Sequence, residues 1–311
     1  MGPVIIDALA DLVGTAPRFQ ELLEKLPRVA RAAEPVLIRG ETGTGKDRLA
    51  LALHALGPRA AGPFVTVRCG AFSEARLELE LFGEDLIPRV PGRLIEANGG
   101  TLFLDEVGSL TPRAQGVLVR VLEDGTYEGG RPVEVRVIAA SADPLEERVQ
   151  AGTFRADLFH RLSVFTLDVP PLRERREDIL PLAEHFLRLH QREVPVPARL
   201  SPAAIASLLA FDWPGNVRQL ESAIVRGLHY AQNGVIEAQD CGLPEQETPA
   251  PNATYRQLKR QVIDAFDRQY LTRLMTEHKG NVSRAARAAG KERRDLGKLL
   301  KRHGFDPRKF A

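Results

Sequence analysis

A glycine-rich turn that ends in lysine is the first stretch of the sequence whose residues could do chemistry. It spans residues 40–47 (GETGTGKD) and lies between an apolar run and a helical pattern. Glycines let successive backbone N–H groups converge on an anion, and Lys46 adds a positive charge toward the β- and γ-phosphates of a nucleotide. The turn therefore predicts a phosphate-binding P-loop. Its expected nucleotide ligands are Gly40, Glu41, Thr42, Gly43, Thr44, Gly45, Lys46 and Asp47.

Two carboxylates, Asp105 and Glu106, follow a second apolar run and stand at the end of a predicted strand. Open α/β sheets bind ligands at the carboxyl ends of their strands, so both groups should face the P-loop. Asp105 is expected to orient Mg²⁺ and Glu106 to polarise the attacking water, because phosphoryl transfer depends on positioning and charge neutralisation. Asp47 stands where the general motif has Ser or Thr, and its carboxylate is a second expected Mg²⁺ ligand. The predicted cofactors are ATP and Mg²⁺.

Five apolar runs in the first part of the chain predict the strands that position these groups. Helical segments separate the runs, and the spacing at 15–34 predicts an amphipathic helix before the first of them. This alternation is typical of an α/β fold in which helices cover both faces of a parallel sheet. From about residue 173 the pattern is helical only, and Ser201 and Pro202 mark one helix start. The predicted strands are 36–38, 64–67, 99–106, 133–140 and 164–169, and the later helices are 179–189, 202–209 and 217–230.

The C-terminal end of the chain is strongly basic. Between residues 279 and 311, eleven Lys and Arg stand against three acids, a net charge of +8, so the rest of the chain carries −6. A proline-rich linker (244–252) and a helix (255–278) precede two short helices (283–289 and 293–302), which is helix-turn-helix spacing. Double-stranded DNA is therefore a predicted partner, with one helix entering the major groove. The candidate DNA contacts are Arg293, Arg294, Lys298, Lys301 and Arg302.

Composition argues against secreted and membrane-spanning proteins. No apolar run approaches the roughly 18 residues of a membrane span, and the start of the chain lacks the basic segment of a signal peptide. The two cysteines, Cys69 and Cys241, are far apart and fit no metal-binding spacing. So few cysteines are typical of a reducing compartment. We therefore expect a cytoplasmic protein with no membrane partner.

Six segments follow one another in an order that carries a family resemblance: GETGTGKD, ELFG, GTLFLDEVG, GTFRADLFHRL, PPLRERREDI and WPGNVRQLE. Over about residues 13–243 they resemble the AAA+ ATPase domain of bacterial sigma-54-dependent transcription activators. The later segment GNVSRAARAAG resembles the Fis-type helix-turn-helix that those activators carry. The implied domains are an α/β nucleotide-binding subdomain (1–172), a helical lid (173–243), a linker (244–253) and a Fis-type helix-turn-helix domain (254–311).

The resemblance also implies roles for three arginines. Arg155 and Arg161 match the arginine fingers that reach the γ-phosphate bound by a neighbouring subunit, and Arg218 matches the sensor II arginine of the lid. Fingers that act in trans make hydrolysis depend on assembly, so a homo-oligomer between a dimer and a hexameric or heptameric ring is implied. The helix from Tyr255 is expected to pair with its copy. RNA polymerase holoenzyme is a further implied partner. Because no sensory domain precedes residue 13, regulation is expected from a separate protein acting in trans, from an effector or from the expression level.

Three departures from the family pattern concern the output of the ATP site. The family's GAFTGA loop, which grips sigma-54, is absent, and only eight residues (84–91) occupy its place. Arg68 replaces the asparagine that couples Glu106 to the nucleotide state, and we expect it to pair with Glu106 and weaken hydrolysis. Ser141 and Ala142 replace the Thr-Asn pair of sensor I, which removes the amide that would read the γ-phosphate.

Three functions remain open on these residues. The first is a DNA-binding transcriptional regulator that uses ATP mainly to control oligomerisation and no longer drives sigma-54 polymerase. The second is a working sigma-54 activator that uses another surface as its tip. The third is an AAA+ ATPase that remodels targets outside transcription. We favour the first, because the missing loop removes the contact element.

Overall fold

The computed structural model describes two compact units, one up to Gln246 and one from Glu247. In the first unit it describes residues 12–83, 91–127, 130–193 and 196–243. In the second it describes 271, 272, 274–276, 278, 280–291, 293–302 and 305. The predicted linker, the predicted helix from Tyr255 up to residue 270, and residues 84–90 of the short connector lie outside the described residues.

A parallel sheet forms the centre of the first unit. Its strands and two short pairs are β1 (Val36–Arg39), β2 (Phe64–Arg68), β3 (Thr101–Asp105), β4 (Thr126–Tyr127), β5 (Arg131–Pro132), β6 (Arg136–Ser141), β7 (Phe165–Asp168), β8 (Arg199–Leu200) and β9 (Val235–Ile236). The central sheet has the order β2-β3-β6-β1-β7, with every neighbouring pair parallel. The five predicted strands are therefore confirmed.

One strand begins later than the sequence predicts, at Arg136 instead of Val133. The reason lies in the backbone donors of the two residues concerned. Val133 N–H donates to Gly125 O at 2.8 Å, and Glu134 N–H donates to the side chain of Asn98 at 2.8 Å. Because these donors are bound to turns, the residues cannot join the sheet ladder.

Helices cover both faces of the central sheet, as predicted. They are α1 (Pro17–Arg31), α2 (Lys46–Ala55), α3 (Glu74–Phe82), α4 (Arg93–Glu96), α5 (Pro112–Asp124), α6 (Leu145–Gln150) and α7 (Ala156–Leu162). Successive strand residues point to opposite faces, so Leu37 joins the core under α3, α5 and α7, whereas Val36 and Ile38 join the core under α1 and α2. The α/β prediction is confirmed.

The chain becomes helical after β7, again as predicted. Three helices, α8 (Ile179–His190), α9 (Pro202–Ala210) and α10 (Asn216–Tyr230), pack around the fully buried Trp213. Ser201 accepts a hydrogen bond from Ala204 N–H at 3.1 Å, which confirms the predicted helix start.

The second unit contains two helices joined by a tight turn, α11 (Val282–Ala288) and α12 (Arg293–Arg302). Their predicted bounds differ from the observed ones by at most one residue. Gly290, at φ 60°, lies in the turn, where the left-handed backbone favours glycine. A small core holds the unit together and contains Leu271, Leu274, Met275, Ala285, Ala286, Leu296 and Leu300. Across the described part of the chain, none of the helices has the length and apolar character of a membrane span.

Candidate functional site

The P-loop joins β1 to α2 through backbone conformations that glycine favours. Gly43 has φ 81° and Gly45 has φ 99°, both in the left-handed region. Position 43 is also crowded, because a Cβ there would lie 2.3 Å from the carbonyl oxygen of Gly215. The helix α2 begins at Lys46, directly after the turn, so its N-terminal end faces the same side as the loop.

Lys46 lies buried at the floor of this turn. Its Nζ donates hydrogen bonds to Gly40 O at 2.7 Å and to Glu41 O at 3.1 Å. Burial lowers the pKa of Lys46, and the carboxylates of Asp105 and Glu106 oppose that shift. The strands thus bring both predicted carboxylates close enough to act on the lysine electrostatically.

A small pocket of about 40 Å³ unites most of the predicted site. It is lined by Thr42, Gly43, Gly45, Lys46, Asp47, Asp105, Glu106 and Arg218. The P-loop, the two strand-end carboxylates and the predicted sensor arginine therefore meet in one place. No group of three or more metal-ligating side chains occurs among the described residues. Two carboxylates, Asp47 and Asp105, fit Mg²⁺, which usually takes one or two protein carboxylates together with phosphate oxygens.

A larger pocket of about 330 Å³ shares Gly43, Gly45, Asp47 and Arg218 with the small one. Its volume lies in the usual range of small-molecule sites. Much of its wall is apolar and is formed by Leu12, Val13, Val169, Leu182, Phe186 and Val217. Walls of this kind suit the flat ring of a nucleobase, next to the site that suits phosphates.

Asn216, which the sequence did not single out, holds the helical part of the unit against the P-loop. It is fully buried and sits at φ 52°. Its Oδ1 accepts from Leu172 N–H at 2.8 Å, and its Nδ2 donates to Glu41 Oε2 and to Thr42 O, both at 3.1 Å. One side chain thus joins three backbone segments.

Two further arginines bind the same loop. Arg173 donates two hydrogen bonds to the Glu41 carboxylate, at 2.7 and 2.5 Å, and these bonds hold the pKa of Glu41 at about 2. Arg175 donates to Thr44 O at 3.0 Å, and burial lowers its pKa to about 10. We call Glu41, Arg173 and Asn216 the P-loop clamp. Glu41 stands in GETGTGKD, Arg173 in PPLRERREDI and Asn216 in WPGNVRQLE. An acid inside a phosphate-binding loop is the signal that could have indicated a cationic partner.

Glu106 adopts a left-handed backbone, with φ 56° and ψ 49°, at the end of β3. The predicted pair between Arg68 and Glu106 is wrong, since no hydrogen bond or ion pair joins them among the described residues. Arg68 is exposed and pairs with Asp105 in the sheet register. The left-handed turn carries the Glu106 carboxylate elsewhere, over the α-carbon of Gly70, where a Cβ would lie 2.0 Å from Oε2.

Ser141 directs its hydroxyl to its own loop. Its Oγ donates to Asp143 O at 2.7 Å, while its carbonyl accepts from Gly40 N–H at 3.2 Å. Neither Ser141 nor Ala142 lines the two pockets. The sensor I position therefore supports the P-loop through its backbone.

The two predicted arginine fingers do not line either pocket. Arg155 is exposed and donates to Asp157 at 3.0 and 2.7 Å, which holds the pKa of Asp157 at about 2. Arg161, in α7, forms an ion pair with Glu123. Each guanidinium is thus held by an acid of its own chain, away from the phosphate pocket of that chain.

Four of the five candidate DNA contacts lie on the exposed face of α12. Arg293, Arg294, Lys298 and Lys301 are exposed, whereas Leu296 and Leu300 are buried against the core. Lys298 lies 3.7 Å from Asp295. Arg302 ends the helix, and its side chain lies outside the described residues.

Family comparison agrees with this arrangement. Residues 12–168 match the sigma-54 interaction domain, and residues 173–256 match an AAA+ ATPase lid domain. The chain belongs to the sigma-54-dependent transcriptional regulator family. The sigma-54-dependent transcriptional activator SfnR of Pseudomonas putida is 44% identical over 82% of this chain and 73% of its own length. The nitrogen fixation protein AnfA of Azotobacter vinelandii is 36% identical over 97% of this chain and 59% of its own.

A solved relative in this regulator family has the same fold. The crystal structure of NtrX from Brucella abortus in complex with ATP matches with a TM-score of 0.72 and 36% identity, over 95% of this chain and 71% of that one. A RuvB mutant of Thermotoga maritima, 16% identical with a TM-score of 0.51, shares the fold alone. The chain spans less than two thirds of AnfA and of the regulator XylR of Pseudomonas putida, of which it covers 57%. The AAA+ fold prediction is confirmed.

The clamp makes a prediction about stability. Replacing Asn216 with Gly keeps a left-handed backbone available but leaves Leu172 N–H and Thr42 O without their partner. We expect the free energy of unfolding, measured in urea by Trp213 fluorescence, to fall by about 2–3 kcal/mol. Asn233→Gly is the matched control, because Asn233 has φ 53° but is exposed; it should change stability by less than about 0.5 kcal/mol. Equal small effects of the two variants would contradict the clamp.

Proposed function

We propose that this protein is a transcriptional regulator that binds ATP and double-stranded DNA but does not drive sigma-54 RNA polymerase. The observation that carries the proposal is the base of the connector, where Gly83 and Pro91 form an antiparallel bridge. Seven residues (84–90) leave and return at this bridge, and they contain no GAFTGA. Half of seven extended residues reaches only about 12 Å, too little to present a separate gripping loop.

ATP binding is supported by the two adjoining pockets. In the proposed complex the nucleobase occupies the apolar pocket, and the phosphates lie over Lys46 and the P-loop N–H groups. Asp105, with Asp47, would hold Mg²⁺, which supplies charge neutralisation across the phosphates. Glu106 polarises the attacking water, and Arg218 contacts the phosphates from α10. The ATP-bound NtrX structure is a relative for which this ligand is known.

We assign Arg155 and Arg161 to the site of a neighbouring subunit. Arg155 is exposed and Arg161 is half-buried, and neither lines the phosphate pocket of its own chain. Their acidic partners, Asp157 and Glu123, keep the guanidinium groups ordered until a subunit interface forms. Hydrolysis would then require an oligomer, from a dimer up to a ring.

Subunit mixing tests this assignment together with the P-loop. Lys46→Ala should abolish nucleotide binding, and Arg155→Ala should keep binding but lose hydrolysis by about 1000-fold. Equal mixing of the two inactive proteins creates interfaces in which one subunit supplies the site and the other the finger, so about a quarter of wild-type ATPase should return.

The matched control mixes wild type with the double variant Lys46→Ala/Arg155→Ala, which dilutes active interfaces without adding complementary ones. Full ATPase activity of Arg155→Ala alone, or no recovery of ATPase activity when Lys46→Ala and Arg155→Ala are mixed, would show that Arg155 does not act on a neighbouring subunit. Unchanged ATP affinity of Lys46→Ala would remove the P-loop assignment.

DNA binding is the proposed role of α12, whose exposed basic face opposes its buried leucines. Arg294→Ala and Lys298→Ala should each weaken binding to double-stranded DNA by roughly tenfold, and loss of a phosphate contact should lower the salt slope of log K by about 1. Arg28→Ala, an exposed arginine on α1, is the charge-matched control. If all three variants bind double-stranded DNA with equal affinity in a titration, α12 is not a DNA-binding face. That result would favour an AAA+ ATPase that remodels targets outside transcription.

A second function, a working sigma-54 activator, is favoured by the complete phosphate pocket and by the match to the sigma-54 interaction domain. Purified sigma-54 holoenzyme, promoter DNA and ATP separate the two functions. We expect no open complexes with the native chain, because the gripping loop is missing. A chimera with a GAFTGA loop between Gly83 and Gly92 is the positive control. ATP-dependent open complexes with the native chain would establish the activator and overturn our proposal.

A further inference from the structure

We propose that Gly70 is a positioning residue for Glu106. The missing side chain at position 70 provides the space in which the Glu106 carboxylate lies, and this space sets where that carboxylate meets the phosphate pocket. The inference rests on the proposed role of Glu106 in ATP hydrolysis for its kinetic consequence. Its geometric part stands without that role.

The contact itself is short and specific. Gly70 lies in the single turn Cys69–Ala71 that follows β2, and Glu106 follows β3, the neighbouring strand. An ideal Cβ on Gly70 would lie 2.0 Å from Glu106 Oε2 and 3.2 Å from its Cδ. The next atom, Ser109 Oγ, would be at 3.5 Å, an ordinary van der Waals distance. The Glu106 carboxylate, the end of a flexible side chain, is therefore the group that a side chain at position 70 would displace.

Backbone conformation does not explain the glycine. Gly70 is not among the positive-φ glycines of the described chain, so an alanine could adopt its backbone without strain. Glu106 carries the strain instead, since the left-handed conformation is unfavourable for a residue other than glycine. That backbone fixes the direction of the Glu106 Cα–Cβ bond, so an added methyl at position 70 must displace the carboxylate by side-chain rotation.

The contact with Gly70 replaces the ion pair with Arg68 that the sequence predicted for Glu106. Arg68, two residues before Gly70, forms no hydrogen bond or ion pair with Glu106 among the described residues. While it lies over Gly70, Glu106 still lines the pocket that Lys46 and Asp105 also line. The position over Gly70 is therefore the one from which Glu106 faces the reacting phosphate, and moving the carboxylate by an ångström should slow the chemical step strongly.

Gly70→Ala tests the proposal. In the full chain with ATP and Mg²⁺, we expect kcat to fall about tenfold or more, while KM and the affinity for ATP stay within about twofold, because nucleotide-binding groups are untouched. Ser109→Ala, which alters the other neighbour of the same point, should leave kcat unchanged. A kcat within twofold of wild type for Gly70→Ala, or a proportional loss in ATP affinity, would overturn the proposal.

A double-variant cycle removes the dependence on activity. We expect the change in urea midpoint caused by Gly70→Ala to be less favourable when Glu106 is present than in a Glu106→Ala background, where no carboxylate has to be displaced. An equal shift in both backgrounds would show a merely structural glycine and would overturn the proposal. Full ATPase activity of Glu106→Gln would instead remove the proposed role of Glu106, whatever the cycle shows.

Discussion

The candidate site depends on a set of hydrogen bonds to the carbonyl oxygens of the P-loop. Every carbonyl from Gly40 to Thr44 accepts at least one: Lys46 binds the first two, Asn216 the third, Arg218 N–H the fourth and Arg175 the fifth. Three of these donors come from the helical part that follows β7. The phosphate loop and the helices that follow β7 are therefore coupled by shared hydrogen bonds, so a structural change in one alters the other.

The phosphate loop was predictable because its chemistry is local. A strand, a turn rich in glycine, a lysine and a helix follow one another, so spacing alone identifies Lys46. The strand ending in Asp105 and Glu106 was predictable for the same reason. The clamp was not, because Glu41 and Arg173 are 132 residues apart, and their pairing depends on how α8 and α10 pack. Segment patterns report which face of a helix is buried, but not which distant loop that face meets.

Arg68 illustrates the opposite error, a contact expected from charge and position that does not form. The strand register places Arg68 beside Asp105, so the next residue, Glu106, was expected to lie within reach of the Arg68 guanidinium. The pair does not form because Glu106 has a left-handed backbone conformation, which no sequence pattern predicts for glutamate. One reversed φ angle moved the carboxylate to Gly70. The sequence alone does not show that Gly70 lies under the Glu106 carboxylate, because the contact depends on this backbone conformation.

The phosphate pocket contains features that cost stability, whereas the connector between Gly83 and Pro91 is short. Glycines in a left-handed backbone, a buried lysine and a strained Glu106 each cost stability, and such features persist when they serve a site. The connector, by contrast, closes on itself at the Gly83–Pro91 bridge. In the proposed function the gripping loop is missing, so a nucleotide site that served only that loop would have no use. Under that proposal, retention of the site supports a second use of the nucleotide. Arg155 and Arg161 lie outside the pockets of their own chain, which supports subunit assembly as that use.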